Sequence, residues 1–419
     1  PMLPKELSNG ICSLNPDENR LTFSAIMNIS AEGRLKDFTF KKSVIRSKVK
    51  GIYSEINSIL AENATEEILE KYRELIPSIE IMNELADKLI ANRQKRGAPN
   101  IETSESKLII NDEQLCIDVK PRTRGKSEMI IEEFMLLANE SAARLAREKQ
   151  IPFVYRIHET PSPEKIDDLK SGLRRLNVEI PVFSQVKPSH LAEILTNAKD
   201  KPFYPVVNMM TLRSMAKAKY HTEPVGHFGL ALDDYAHFTS PIRRYPDLFI
   251  HRVISQYLND NNNKIEIKND ISTSKKVNLE EKQAIKIIKN KLPEEIYEKY
   301  IGQAEKYAEQ SSECEKIAQK VERDAEDVKK AEYMQNKIGE EYKGIISSVT
   351  SFGIFVELEN TVEGLIRFDN LGNEYFIYDE DNKTLIGEKT KKVYHIGDKI
   401  RIRVIAANKQ TRRIDFESL

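Results

Sequence analysis

The sequence predicts an α+β chain. A region of strands and many helices, residues 1–340, is followed by a small closed β-barrel of the OB type, residues 341–419. Three observations carry this expectation. "LTFSAIMNIS" and "LKDFTFKKSVIRS" alternate apolar and polar residues on either side of an "AEGR" turn, the pattern of a half-buried hairpin. "MIIEEFMLLANESAARLARE", Met129–Glu148, repeats its apolar residues at helical spacing. Beyond Glu340 the chain changes to five short strands with glycine turns.

The remaining elements follow in order. Residues 65–95 read as helix, with Ile68, Leu69, Leu75 and Ile79 at helical spacing, and "KRGAPNIET" (Lys95–Thr103) breaks it. "SKLIINDEQLCIDVKPR" reads as a hairpin. On the 129–148 helix, Ile130, Phe134, Leu137 and Ser141 share one face, and Glu132, Leu136 and Asn139 another. "IPFVYRIHETPSPEKI" gives a strand, a turn and a helix start, and 163–217 is mainly helical with proline breaks. Asn259–Lys264 reads as a polar surface loop. Ser312 to Glu315 has the S-x-x-E form of a capping box, so a helix is expected to open there, with Cys314, Ile317, Val321, Ala325 and Val328 as its apolar positions.

Composition narrows the function. The 419 residues are 40% hydrophobic, enough for real cores and two to four domains. Charged residues reach 31% while the net charge is −1, so there is no general basic coat. A nucleic-acid partner would have to meet a local channel or patch. Cys12, Cys116 and Cys314 lie far apart without a CxxC. That spacing excludes a zinc knuckle, argues against a disulfide framework, and suits the reduced thiols of a cytoplasmic protein. No apolar run reaches the length of a membrane span, and no signal-peptide pattern opens the sequence. The opening "PMLPKELSNG" sets a proline before the only nearby Met, so a piece of a longer polypeptide is expected.

The stretch richest in chemistry is "YAHFTSPIRRYPDLFIHR", Tyr235–Arg252. Ser240-Pro241 sets a turn, and Ile242-Arg243-Arg244-Tyr245 is expected to start a helix. A helix N-terminus with two guanidiniums makes an anion site. Neighbouring arginines diverge by about 100° on a helix. One would point into a cleft while the other pairs a carboxylate such as Asp247. Spacing alone leaves two surface ion pairs as the other reading. In the barrel, Phe352 and Phe355 stand three apart in "SFGIFVEL", which predicts opposite faces, one core and one surface; burial of both is the alternative.

"HFTSPIRRYPDL" resembles the signature of the RNB-domain exoribonucleases, the ribonuclease II and ribonuclease R family. "PMLPKELSNGICSLNPDENRLTFS", "IIEEFMLLANESAARL", "LRSMAKAKY…GHFGLAL" and "VERDAEDVKKAEYM" resemble further family segments in the same order, with ribonuclease R the closer subtype. "GIISSVTSFGIFVELENTVEGLIRF" resembles the RNA-binding domain first described in ribosomal protein S-one. The resemblance implies a C-terminal portion of an RNB catalytic domain ahead of the barrel. It implies processive, magnesium-dependent 3′-to-5′ hydrolysis of single-stranded RNA to nucleoside 5′-monophosphates by a cytoplasmic protein, expected to be a monomer.

The resemblance also implies residue roles. Arg243 matches the arginine that balances transition-state charge, with His237, Arg244 and Tyr245 beside it at the substrate. Glu132 matches a carboxylate that contacts the terminal nucleotides, and Glu322 one next to the scissile end. The residues alone leave local pairing open for both, with Lys320 or Arg323 as partners for Glu322. In the barrel Phe352, Phe355, Arg367 and Arg412 are implied to face RNA; Arg367 stands where the family often has histidine, and Asn408 where it has an aspartate. Ile101 stands where the family has a base-stacking phenylalanine, in "RGAPNIE". The family's metal-binding aspartates, D-x5-D-x-D-D, lie upstream of "PMLP". Asp233-Asp234, Asp167-Asp168 and Asp379–Asp381 lack that spacing. No metal ligand is therefore assigned; those for magnesium are expected upstream of residue 1, and the chain is expected to be inactive or nearly so alone. The alternative is a non-catalytic RNA-binding protein on the same scaffold.

Overall fold

The computed structural model describes residues 2–101, 105–201, 203–261, 267–268, 292–380 and 383–419. A π-helical turn, Glu6–Ile11, precedes the hairpin of β1 (Asn19–Ile29) and β2 (Leu35–Arg46). Ala25 faces Phe40 and Met27 faces Phe38 across it, and the two phenylalanines, two residues apart, are both buried. Gly33 closes the hairpin at φ +75°, and a Cβ there would lie 3.0 Å from Lys88 Cβ, so the turn needs glycine.

The helical stretch at 65–95 is two helices rather than one. After α1 (Tyr53–Leu60), Thr65 caps α2 (Glu66–Tyr72) through the Ile68 N–H, and α3 (Ile76–Lys95) begins with a proline in its first turn. Ile79 is buried while Leu69 is exposed. β3 (Ser106–Ile110) and β4 (Cys116–Pro121) form the expected hairpin. α4 (Lys126–Lys149) is fixed at its start by Glu128, whose carboxylate accepts from the Gly125 N–H (3.1 Å) and the Asn57 amide (2.9 Å). β5 (Tyr155–Ile157) pairs with β6 (Lys219–His221). Between them lie α5 (Pro163–Arg175), α6 (Pro188–Ala198) and α7 (Tyr204–Ser214), each with a proline in its first turn.

α8 (Tyr245–Asn261) continues into the run read as a loop, so Asn259–Asn261 are helical; residues 262–264 lie outside the described residues. β7 (Ile267–Lys268) adds to β2. α9 (Glu294–Gln335) runs straight through Ser312, which corrects the capping-box expectation. Ser312 bonds its own helix, Oγ donating to the Ala308 carbonyl (2.8 Å), and accepts from the Tyr220 N–H (2.9 Å). Ile317 and Val321 are exposed rather than core.

The C-terminal strands are β8 (Glu341–Thr350), β9 (Gly353–Leu358) and β10 (Glu363–Arg367). A short α10 (Phe368–Leu371) follows, then β11 (Phe376–Asp379), β12 (Thr384–Gly387), β13 (Val393–Tyr394), β14 (Lys399–Asn408) and β15 (Arg413–Ser418). Five of these close a barrel in the order β10-β15-β14-β8-β9, as the sequence predicts. β11, β12 and β13 form a separate sheet that the sequence reading did not include. Strands of two to four residues are too short to display a period of two.

Two compact units emerge, neither continuous in sequence. The first comprises Pro1–Ala98, Arg124–Thr160 and Ala216–Glu313, with a core that includes Phe38, Phe40, Leu145, Phe153, Phe249 and Ala304. The second comprises Pro99–Thr123, Pro161–Met215 and Cys314–Leu419, with a core that includes Val119, Met334, Ile354, Val356, Ile402 and Phe416.

Candidate functional site

In the first unit residues 235–240 take up no regular secondary structure, the chain turns at Pro241–Arg243, and α8 begins only at Tyr245. Both arginines therefore precede the helix. The 100° divergence expected of helical neighbours does not apply, and a different device separates them. Asp247, fully buried in the first turn of α8, accepts from the Ser240 N–H (2.7 Å) and from Arg244 Nη2 (2.8 Å). Ser240 is thus tied to α8 as an N-cap would be, but by a carboxylate reaching back. Arg244 is held with its side chain 16% exposed. Arg243 is exposed and has no ion-pair or hydrogen-bond partner among the described residues. One arginine, Arg244, pairs Asp247 as expected; the other, Arg243, is exposed.

Upstream, α4 grips the same segment. Asn139, 3% exposed, accepts the N–H groups of Phe238 (2.8 Å) and Thr239 (3.2 Å) through Oδ1 and donates Nδ2 to the Tyr235 hydroxyl (3.1 Å). His251 Nε2 bonds the Phe238 carbonyl (2.8 Å). Glu132 stands seven residues before Asn139, two turns or about 10 Å back along the same face. It is 42% exposed, with Arg124 at 3.6 Å, an exposed pair of little energetic weight. Tyr245 is 45% exposed, its ring edge-on to Tyr307 at 4.8 Å. The positional role of Asn139 was not assigned from the sequence; a lone Asn on a helical face carries no signal of which backbone it will meet.

The electrostatics of this unit follow from burial. His158, His227, His237 and His251 are all held below the usual imidazole value, burial being the first cause, to about 3 for His227 and about 2 for His237. The folded chain thus binds fewer protons than the unfolded one. The stability from these histidines is full above the unfolded value near 6.5 and is lost as pH falls toward the folded values. The carboxyls of Glu133, Glu140 and Asp234, raised by burial, act in the opposite sense. We expect the urea midpoint to fall between pH 7 and pH 5, and to fall less steeply in His227→Gln. An equal slope in the variant refutes the assignment.

The second unit holds the other sequence-predicted residues. Ile101 is half-buried and Glu322 is exposed on α9, paired with neither Lys320 nor Arg323 among the described residues. In the barrel Phe352 and Phe355 do not take opposite faces: their rings meet edge-on at 6.1 Å. Phe352 lies in the turn before β9, where the strand period does not operate, and is 51% exposed, while Phe355 is half-buried. The turn closes tightly because Gly353 abuts β10; a Cβ there would lie 2.3 Å from the Ile366 carbonyl oxygen. Arg367 is half-exposed, with Nε 3.9 Å from Asp415. Arg412 is engaged by Asp324 of α9 in an ion pair.

No group of three or more His, Cys, Asp or Glu is placed to hold a metal ion among the described residues. Asp234 is buried and paired with Arg147 (2.8 Å), Asp233 is exposed, Asp167 sits 4.0 Å from Lys170, and Asp381 lies outside the described residues. These residues do not fit a magnesium centre. No helix among the described residues is long and apolar enough to cross a membrane.

Comparison with known proteins bears on this geometry. The RNB domain family matches residues 1–260, and the S1 RNA binding domain family matches 335–418. The chain is 40% identical to Ribonuclease R 1 of Lactococcus lactis over its whole length and 48% of that protein's. It is 36% identical to Ribonuclease R of Escherichia coli over 99% of this chain and 48% of that one. Mycoplasma genitalium RNase R, solved in complex with ribose methylated single-stranded RNA, superimposes with a TM-score of 0.86 at 30% identity, covering all of this chain and 61% of that one. The chain spans about half the length of the curated relatives it matches. With the signature arginine free at the head of α8 and an OB barrel at the C-terminal end, the chain belongs to the RNB-domain family of ribonuclease R-like proteins.

Proposed function

We propose that the chain is the RNA-handling part of a processive, magnesium-dependent 3′-to-5′ exoribonuclease that converts single-stranded RNA to nucleoside 5′-monophosphates, working as a monomer in the cytoplasm. The observation that carries this is the split between the two signature arginines. Arg244 is spent on Asp247, while Arg243 is left exposed and unpartnered among the described residues. A free guanidinium on a turn tied down by Asn139, His251 and Asp247 is suited to a phosphate that gains charge during in-line displacement. Glu132, His237, Tyr245, Ile101 and Glu322 serve the substrate in this reading, Arg244 does so only by holding the turn through Asp247, and Phe352, Phe355, Arg367 and Arg412 serve RNA at the barrel. Arg412 would have to release Asp324 to do so. We divide the chain functionally at residue 340.

Magnesium would be held by residues other than the described ones and would supply Lewis-acid and hydroxide chemistry to the intact enzyme. We propose that this chain alone is inactive or nearly so, because its described residues offer no carboxylate set of that kind. The test is to incubate the chain with magnesium and a 5′-labelled single-stranded RNA on a denaturing gel, with a parallel shift assay. Binding without shortening is expected. A ladder of products that is lost in Arg243→Ala overturns the claim of inactivity; absence of binding overturns the RNA reading. At Ile101, where stacking on a base is worth roughly 1–3 kcal/mol, Ile101→Phe is expected to tighten binding of single-stranded RNA in the same assay. Unchanged affinity refutes a base-stacking position there.

A further inference from the structure

His237 lies in the signature but is not explained by it. Its Nδ1 is 2.9 Å from the Tyr220 hydroxyl, and the rings of Tyr220 and Tyr235 flank it edge-on at 5.6 and 5.8 Å. Nε2 has no partner among the described residues, and the side chain is only half-buried. Tyr220 is itself firmly placed. It pairs with Arg156 across β5 and β6, its N–H is bonded to Ser312 of α9 (2.9 Å), and the Arg156 guanidinium lies 4.7 Å from its ring centre. The charged groups that act most on His237 are the cations Arg244, Arg156 and Arg243; His227, Tyr220 and Tyr235 are the other titratable groups facing it.

We propose that Tyr220 is a positioning residue that fixes His237 in one neutral tautomer, its hydroxyl donating to Nδ1, so that Nε2–H is offered to an RNA phosphate oxygen beside Arg243. Burial first, and the nearby guanidiniums after it, hold the imidazole uncharged, and a neutral ring has one donor and one acceptor nitrogen. The nitrogen that meets the tyrosine hydroxyl decides which. With the acceptor at Nε2 the ring would compete with phosphate for the arginine N–H groups; with the donor there it adds to them. The site thereby gains a hydrogen bond to the anion without a group that titrates between pH 5 and 8. This rests on the RNA reading above and adds to it the protonation state of one contact and the residue that sets it.

The experiment uses the full chain with Phe352 and Phe355 both changed to alanine, so that the barrel contributes little affinity, with histidine nitrogens labelled with 15N. Spectra are expected to show His237 as the neutral Nε2–H tautomer from pH 5 to 8, with the Nε2 signal moved by a single-stranded RNA oligomer. Tyr220→Phe, which keeps the ring, is expected to mix the tautomers and weaken RNA binding about threefold. His237→Phe is expected to weaken it about tenfold at every pH, as loss of a hydrogen bond to a charged group does, and His237→Gln to recover most of that loss. An imidazolium forming in this range, an Nδ1–H tautomer, or unchanged affinity in His237→Phe overturns this inference and leaves the RNA reading standing. Failure of the chain with its barrel intact to bind RNA overturns the RNA reading and this inference with it.

Discussion

Arg243→Ala in the full-length enzyme is expected to lower the single-turnover rate of RNA hydrolysis by roughly 10²–10³-fold, the usual effect of removing one preorganised donor to developing charge. RNA affinity should change far less, because a guanidinium that acts on transition-state charge contributes mainly to kcat. The variant should fold normally, since Arg243 has no intramolecular partner to lose among the described residues. The adjacent arginine provides the contrast. Arg244→Ala strips the counter-charge from a fully buried Asp247, so its defect should appear first in stability. A rate for Arg243→Ala within threefold of the unmodified enzyme would remove this residue from the chemistry. A collapse in affinity with an unchanged rate would make it a binding group only.

Asp247→Leu is expected to destabilise the folded chain by about 3–5 kcal/mol, the cost of breaking a buried ion pair by removing one partner. The carboxylate is 0% exposed and satisfies both the Ser240 N–H and Arg244. Leucine leaves the amide without its acceptor and a guanidinium 16% exposed without its counter-charge. Asp247→Asn keeps an oxygen for the amide and should cost clearly less. Urea denaturation checks both; a loss below about 1 kcal/mol for the leucine variant would mean that water or another group takes over. Leucine should also free the Ser240–Arg244 turn from α8, leaving the Asn139 and His251 bonds to hold the segment from the Phe238 side.

How legible these features are in the sequence depends on the range of the forces behind them. The β1–β2 hairpin, α4 and the five barrel strands can be read directly, because each buries one face and writes its period into the residue order. The signature arginines are visible as residues, but their division of labour is not. Helical geometry was the wrong frame for a turn, and the buried Asp247 makes the choice. Ser312 shows the reverse error. Its S-x-x-E pattern is locally indistinguishable from a cap, yet the helix passes through it and the hydroxyl meets the Tyr220 backbone instead. Phe352 and Phe355 were assigned opposite faces by a strand rule that stops one residue short, at Gly353.

The sequence by itself determined the family, the α+β class and the OB barrel, because motifs and periodic burial are local properties of the chain. Tertiary structure alone decided which arginine is free, that Asn139 clamps the signature from a helix about 100 residues away in sequence, and that His237 meets the Tyr220 hydroxyl. Those outcomes depend on which polar groups are buried together. Burial makes every unpaired donor or acceptor costly, so the partners are chosen by the packed core and not by their neighbours in sequence.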